Sequence, residues 1–158
     1  MPDHSPEELK DKFWSKMTSE RTIMLGLPGK AAGRPMTAIS DGETPGVLWF
    51  FTSTDTDLGE VTFAADAEMV FVGKHHDLYA TAHGRLAPEP DHTKVDELWS
   101  PFVAAWFDGK DDPKLRLLRL DLHQAEIWLE ANTLVAGAKM LLGSDPKESA
   151  GENAEVSL

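Results

Sequence analysis

Short apolar runs, some alternating with polar residues at a period of two, recur along this chain, and that pattern predicts a protein built mainly of strands. The exception comes first. Ser5-Pro6-Glu7-Glu8 reads as a helix start: Ser5 is the N-cap, Pro6 fits the first helical position and Glu8 completes a capping box. Leu9, Phe13, Trp14 and Met17 then share one face, and the helix should end near Thr18. Residues 21–27 are a short strand candidate. Two stronger runs follow, residues 34–39 and 47–52, separated by a connector that carries Asp41-Gly42 and Pro45-Gly46. Both dipeptides form turns, so the pair is expected to be a β-hairpin, entered at Arg34 and left through Thr52, Ser53 and Thr54.

After the hairpin, Asp57 and Glu60 offer a second capping box, and Leu58, Val61 and Ala65 give a short helix its buried face. Residues 68–73 are apolar on both faces, as in a central strand. In residues 78–87, Tyr79, Thr81, His83 and Arg85 share one face, while Ala80, Ala82, Gly84 and Leu86 share the other. The small face predicts a tightly packed wall or the close approach of a neighbour. Asp91 caps a helix that bends and restarts at Ser100-Pro101. Its apolar stripe includes Phe102, Val103 and Trp106 and is assigned to the core. Leu118, Leu120 and Leu122 mark one half-buried strand, and residues 125–129 mark another. Residues 136–142 are a short helix candidate.

The expected fold is mainly β (α+β): an antiparallel barrel with flanking helices, counted from six or seven strand signals and three or four helices. Residues 1–142 should form a single domain. Large apolar residues almost vanish from Gly143 on, so residues 143–158 are expected to be a disordered acidic tail.

Composition narrows the function classes. The chain has 158 residues, no cysteine, and a net charge of −12 from 15 basic and 27 acidic side chains. That balance argues against a general nucleic-acid binder, whose affinity comes largely from neutralising phosphates. It also requires any anionic ligand to be held by a local positive site. No apolar run is long enough to span a bilayer, the N-terminus lacks the pattern of a signal peptide, and the absence of thiols suits the cytoplasm.

A cation and several hydroxyls at strand ends suit an anionic ligand, so Arg34 with Thr52, Ser53 and Thr54 is a candidate site. An ordinary apolar hairpin in the core is the plainer alternative. Neither a Gly-x-Gly-x-x-Gly motif, a P-loop nor a Gly-x-Ser-x-Gly motif is present. His75, His76 and His83 are the local histidine group. Adjacent strand histidines point to opposite faces, so no metal site is expected.

A set of segments in fixed order then resembles a known family. They are Arg34-Pro35-Met36, Trp49-Phe50-Phe51-Thr52, Gly84, Trp106-Phe107, Gly109-Lys110-Asp111-Asp112-Pro113, Leu117-Leu118-Arg119 and Ala125-Glu126-Ile127-Trp128. The ordered set, from about residue 8 to residue 142, resembles the pyridoxamine 5′-phosphate oxidase-like family and within it the general-stress-protein branch. The resemblance implies a six-stranded antiparallel split β-barrel with flanking helices that binds FMN, and a homodimer with flavin at the interface. It places Arg34, Met36 and Thr37 against the FMN and Thr52 and Ser53 at its phosphate and ribityl chain. Tyr79 falls near the flavin ring, and Trp128 reaches it from the other subunit.

The family pattern has a lysine where this chain has Leu58, next to Asp57. Lys30, Lys74 and Lys139 are candidate substitutes. Two functions follow from the resemblance: a flavin-dependent oxidoreductase, or a non-catalytic flavin-binding or stress-response protein with weakened FMN affinity.

Overall fold

The computed structural model describes residues 4–130 and 152–158. The opening helix, α1 (Pro6–Ser19), forms as its sequence dictates: the Ser5 hydroxyl accepts from the Glu8 amide, and Leu9, Phe13 and Met17 are buried. Strands follow as β1 (Thr22–Leu27), β2 (Ala31–Thr37), β3 (Val47–Ser53), β4 (Ala65–Val72) and β5 (Leu78–Pro88). Next come two short helices, α2 (Thr93–Leu98) and α3 (Pro101–Ala104), then the long strand β6 (Leu115–Leu129) and β7 (Glu152–Ser157). No helix among the described residues is long and apolar enough to cross a membrane.

The strands join into one antiparallel sheet of seven in the order β2-β1-β4-β5-β6-β3, with β7 added on β6. β6 is long enough to serve three neighbours. One edge pairs with β5; the other pairs with β3 through residues 115–121 and with β7 through residues 124–129. The sheet curls around a core in which Phe13 and Met17 of α1 meet Leu25, Phe50, Met69 and Leu120. A smaller cluster around Trp49 packs β3 against α2 through Val95 and Leu98.

Four expectations change. Residues 34–39 and 47–52 are not a hairpin. β2 pairs with β1 and β3 pairs with β6, so the two runs stand at opposite ends of the sheet, joined among the described residues by one bridge between Ile39 and Trp49. Their apolar runs and the turn formers between them marked both as strands but could not name their partners. The two strands expected over residues 118–129 are one strand with a bulge. His83 faces Gln124 while Gly84 faces Leu122, leaving His123 as the extra residue. The buried set consequently switches from Leu118, Leu120 and Leu122 to Ala125 and Ile127. Gly84 lets the bulge close on β5, since a Cβ there would overlap the Asp121 carbonyl oxygen.

The expected disordered tail contains β7, whose Val156 is buried in the core and whose Asn153 amide donates to Glu126 Oε1 at 3.0 Å. β7 brings the sheet to seven strands rather than six. Its few apolar residues hid it, because an added strand needs backbone partners more than a hydrophobic face. Finally, Asp57 makes no side-chain cap at the 3₁₀ turn Leu58–Glu60; the Gly59 amide instead donates to Thr56 Oγ1 at 3.0 Å. The helix expected over residues 136–142, and Lys139 within it, lie outside the described residues.

Candidate functional site

Because β2 and β3 meet only at the Ile39–Trp49 bridge among the described residues, the sheet is split along the rest of their length. A cleft of about 370 Å³ opens there. β2 supplies Arg34, Pro35, Met36 and Thr37. β3 and the turn after it supply Phe51, Thr52, Ser53 and Thr56, and the α3 segment supplies Phe102, Val103, Trp106 and Phe107. β2 is a sheet edge paired on one side with β1, so its other edge presents backbone N–H and C=O groups to the cleft.

One part of the cleft is polar. Thr52 Oγ1 lies 2.9 Å from Thr56 Oγ1, which donates to the Ser53 carbonyl oxygen at 2.9 Å. The turn is clamped by close contact. A Cβ on Gly59 would overlap the Ser53 carbonyl oxygen, so the glycine lets the following 3₁₀ turn sit directly on β3. The Arg34 guanidinium is exposed and makes no ion pair among the described residues. The Ser53 hydroxyl, with the Lys114 and Arg34 charges nearby, holds the Asp55 carboxyl below its ordinary range against the cost of burial. Arg34 and Lys114 thus place positive charge beside this carboxylate on a molecule whose net charge is −12.

The other part is aromatic. Phe51 lies edge-on to Trp99 with ring centroids 6.1 Å apart and 6.5 Å from Phe107. Phe102 and Trp106, assigned to the core on their spacing, are 55% and 74% exposed and line the cleft instead. Helical periodicity identifies one face but not what covers it. Here α3 is a single turn over the cleft mouth, so its apolar face stays open. Thr56 was also missed; a hydroxyl following Thr52, Ser53 and Thr54 was the available signal.

The structure thus brings Arg34, Met36, Thr37, Thr52 and Ser53 into one cleft. Tyr79 and Trp128 are elsewhere in this chain. They face each other across the β5–β6 ladder and border a separate depression with Val70, Val72 and Glu130. Leu58 does not border the cleft either. It is fully buried in the core, so a lysine on this backbone would drive its ammonium into apolar surroundings. Of the candidate substitutes, Lys30 lines a neighbouring cleft and Lys74 sits in the β4–β5 turn with its amide bonded to Glu20. Asp41, Glu43 and Glu97 also converge, but the Lys94 ammonium occupies that group, 2.7 Å from Asp41 and 3.0 Å from Glu97.

Residues 8–147 match the family model described as pyridoxamine 5′-phosphate oxidase like. The chain belongs to the pyridoxamine 5′-phosphate oxidase-like family. General stress protein 26 of Bacillus subtilis is 30% identical over 97 residues, covering 59% of this chain and 67% of that protein. A crystal structure assigned as a general stress protein 26 from Jannaschia sp. CCS1 superposes with a TM-score of 0.84 at 31% identity, covering 98% of this chain and all of the other. The general stress FMN/FAD binding protein of Xanthomonas citri is 46% identical with a TM-score of 0.72, covering 78% of this chain and 89% of that one. The seven-stranded sheet with its open β2–β3 edge agrees with the split barrel expected of this family.

Proposed function

We propose that the β2–β3 cleft binds FMN, or the FMN portion of a larger flavin nucleotide, and that the protein is a flavin-dependent oxidoreductase. The observation that carries this reading is the meeting, in one cleft, of the exposed Arg34 and a cluster of hydroxyls with an aromatic wall. The donor set fits the group. A guanidinium takes a phosphate through two parallel hydrogen bonds, and Thr52, Ser53 and Thr56 hydroxyls donate to its remaining oxygens or to the ribityl chain. The free edge of β2 at Met36 and Thr37 suits the polar rim of a flavin ring, and Phe51, Phe107 and Trp106 suit its faces. The 46% identical relative described as FMN/FAD binding supports the same assignment.

A bound flavin would supply hydride or electron transfer. The described side chains lining the cleft are Arg, Pro, Met, Thr, Ser, Ile, Val, Phe and Trp, which suit binding, orienting and excluding water. A flavin carrier without turnover would use the same geometry. We extend the proposal to a homodimer, because Met24, Val72 and Trp128 are exposed on one outer face of β1, β4, β5 and β6.

The test is a flavin titration of the purified protein beside the Arg34→Ala variant. Loss of one charged phosphate contact should weaken FMN about 10- to 100-fold. A wild-type protein that is colourless and shows no thermal shift with FMN would remove the reading. Reduction of the bound flavin by NADH or NADPH, with reoxidation by an acceptor, separates the oxidoreductase from the carrier.

A further inference from the structure

The bulge in β6 changes what its histidine can do. Leu122 and Ala125 are buried, yet both residues between them, His123 and Gln124, are exposed. One extra residue thus puts two successive side chains on the outer face of the sheet. The backbone there is held from both sides. The Leu122 amide donates to the Gly46 carbonyl oxygen at 2.8 Å, and the Leu158 amide donates to the His123 carbonyl oxygen at 3.1 Å.

His83 of β5 stands beside this pair, facing Gln124 across the ladder. On its other side it faces Glu68 of β4, and its Nδ1 lies 3.7 Å from Glu68 Oε2. Glu68, His83 and His123 therefore lie in one row over three adjacent strands, about 10 Å across at the backbone. Two imidazoles and one carboxylate are the donor set of zinc and its neighbouring transition metals, with a further position left for water. The His83 and Glu68 side chains are 59% and 42% exposed, so closing the set on one ion takes side-chain rotation on a fixed backbone. A surface Glu68–His83 ion pair alone would contribute little and would give His123 no part.

We propose that Glu68, His83 and His123 bind a divalent transition metal of the zinc class on the outer face of the sheet. The three residues lie outside the lining of the β2–β3 cleft, so the site stands or falls independently of the flavin reading. Its ligands come from β4, β5 and β6 and meet only in the folded chain. Metal binding therefore favours the native state and ties the three strands together.

Calorimetric titration of the tag-free, chelator-stripped full chain with zinc chloride tests this, using the wild type, His83→Ala, His123→Ala and, as a control, His75→Ala. The wild type should show a saturable zinc site and a melting temperature that rises with zinc. His83→Ala and His123→Ala should each weaken zinc about tenfold or more and abolish the rise, while His75→Ala keeps both. Without zinc the His83 and His123 variants should melt as the wild type does, since both imidazoles are exposed. Glu68→Gln should also weaken zinc, which separates a ligand from a residue that only pairs with His83. Absence of zinc binding in the wild type overturns the proposal. So does affinity that survives His83→Ala or His123→Ala, or that is lost in His75→Ala instead.

Discussion

Ile39 and Trp49 exchange both backbone hydrogen bonds, Ile39 N to Trp49 O at 2.9 Å and Trp49 N to Ile39 O at 2.8 Å. This bridge ties the two end strands of the sheet at one point, and the chain beyond it parts to form the cleft. Trp49 is fixed from its other side as well. Its indole N–H donates to Glu89 Oε2 at 2.7 Å, and the Lys94 ammonium stands 4.5 Å from its ring centroid. The split in the sheet is thus a held geometry.

Gly59 is the point where the polar side of the cleft is most easily disturbed. Gly59→Ala should lower stability by about 1–3 kcal/mol, because the added methyl meets the Ser53 backbone rather than a movable side chain. Urea denaturation measures that loss. Flavin affinity should fall with it, since Thr56 bonds both the Gly59 amide and Thr52. An unchanged unfolding midpoint would contradict the packing described here.

Asp41 gives the fold an acid-sensitive contact. Burial works against its ionisation, but the Lys94 ammonium, the Glu43 and Thr44 amides and the Thr44 hydroxyl outweigh it and hold the carboxyl far below its ordinary 3.8. The native state therefore binds this proton less readily than the unfolded chain. The stability it contributes is complete above about pH 4 and is lost as pH falls through the depressed folded value. Asp41→Ala should cost roughly 2–3 kcal/mol near neutral pH and flatten the acid limb of a stability-against-pH curve. Chemical denaturation across pH is the measurement.

Trp106 should matter to the ligand and not to the fold. It is 74% exposed, so Trp106→Ala should change stability by less than about 0.5 kcal/mol. The same variant should weaken flavin binding about threefold to tenfold, the worth of one aromatic contact. Affinity equal to that of the wild type would remove Trp106 from the site.

The sequence made the elements more legible than their partners. Ser5, Ser100 and the alternation of β5 declared themselves through local chemistry that needs no tertiary context. The pairing of β2 and β3 did not. The Asp41-Gly42 turn looks like a hairpin loop, but the Asp41 carboxylate caps its own turn and is drawn to Lys94 of α2, a partner 53 residues away. The bulge at His123 looked like a gap between strands, because one extra residue reverses which face is apolar. Val156 alone could not announce β7. In the cleft, Arg34, Thr52 and Ser53 are grouped by their own chemistry at the strand ends, and Met36 and Thr37 join them through the family resemblance. Phe102 and Trp106 were misplaced, because periodicity reports a face and not its exposure.

A crystal structure of the protein soaked with FMN tests the central claim most directly. The account predicts flavin density between β2 and β3, with its phosphate in hydrogen-bond contact with the Arg34 guanidinium and the Thr52–Thr56 hydroxyls. Flavin density elsewhere on the molecule, or a phosphate that does not touch Arg34, would contradict it.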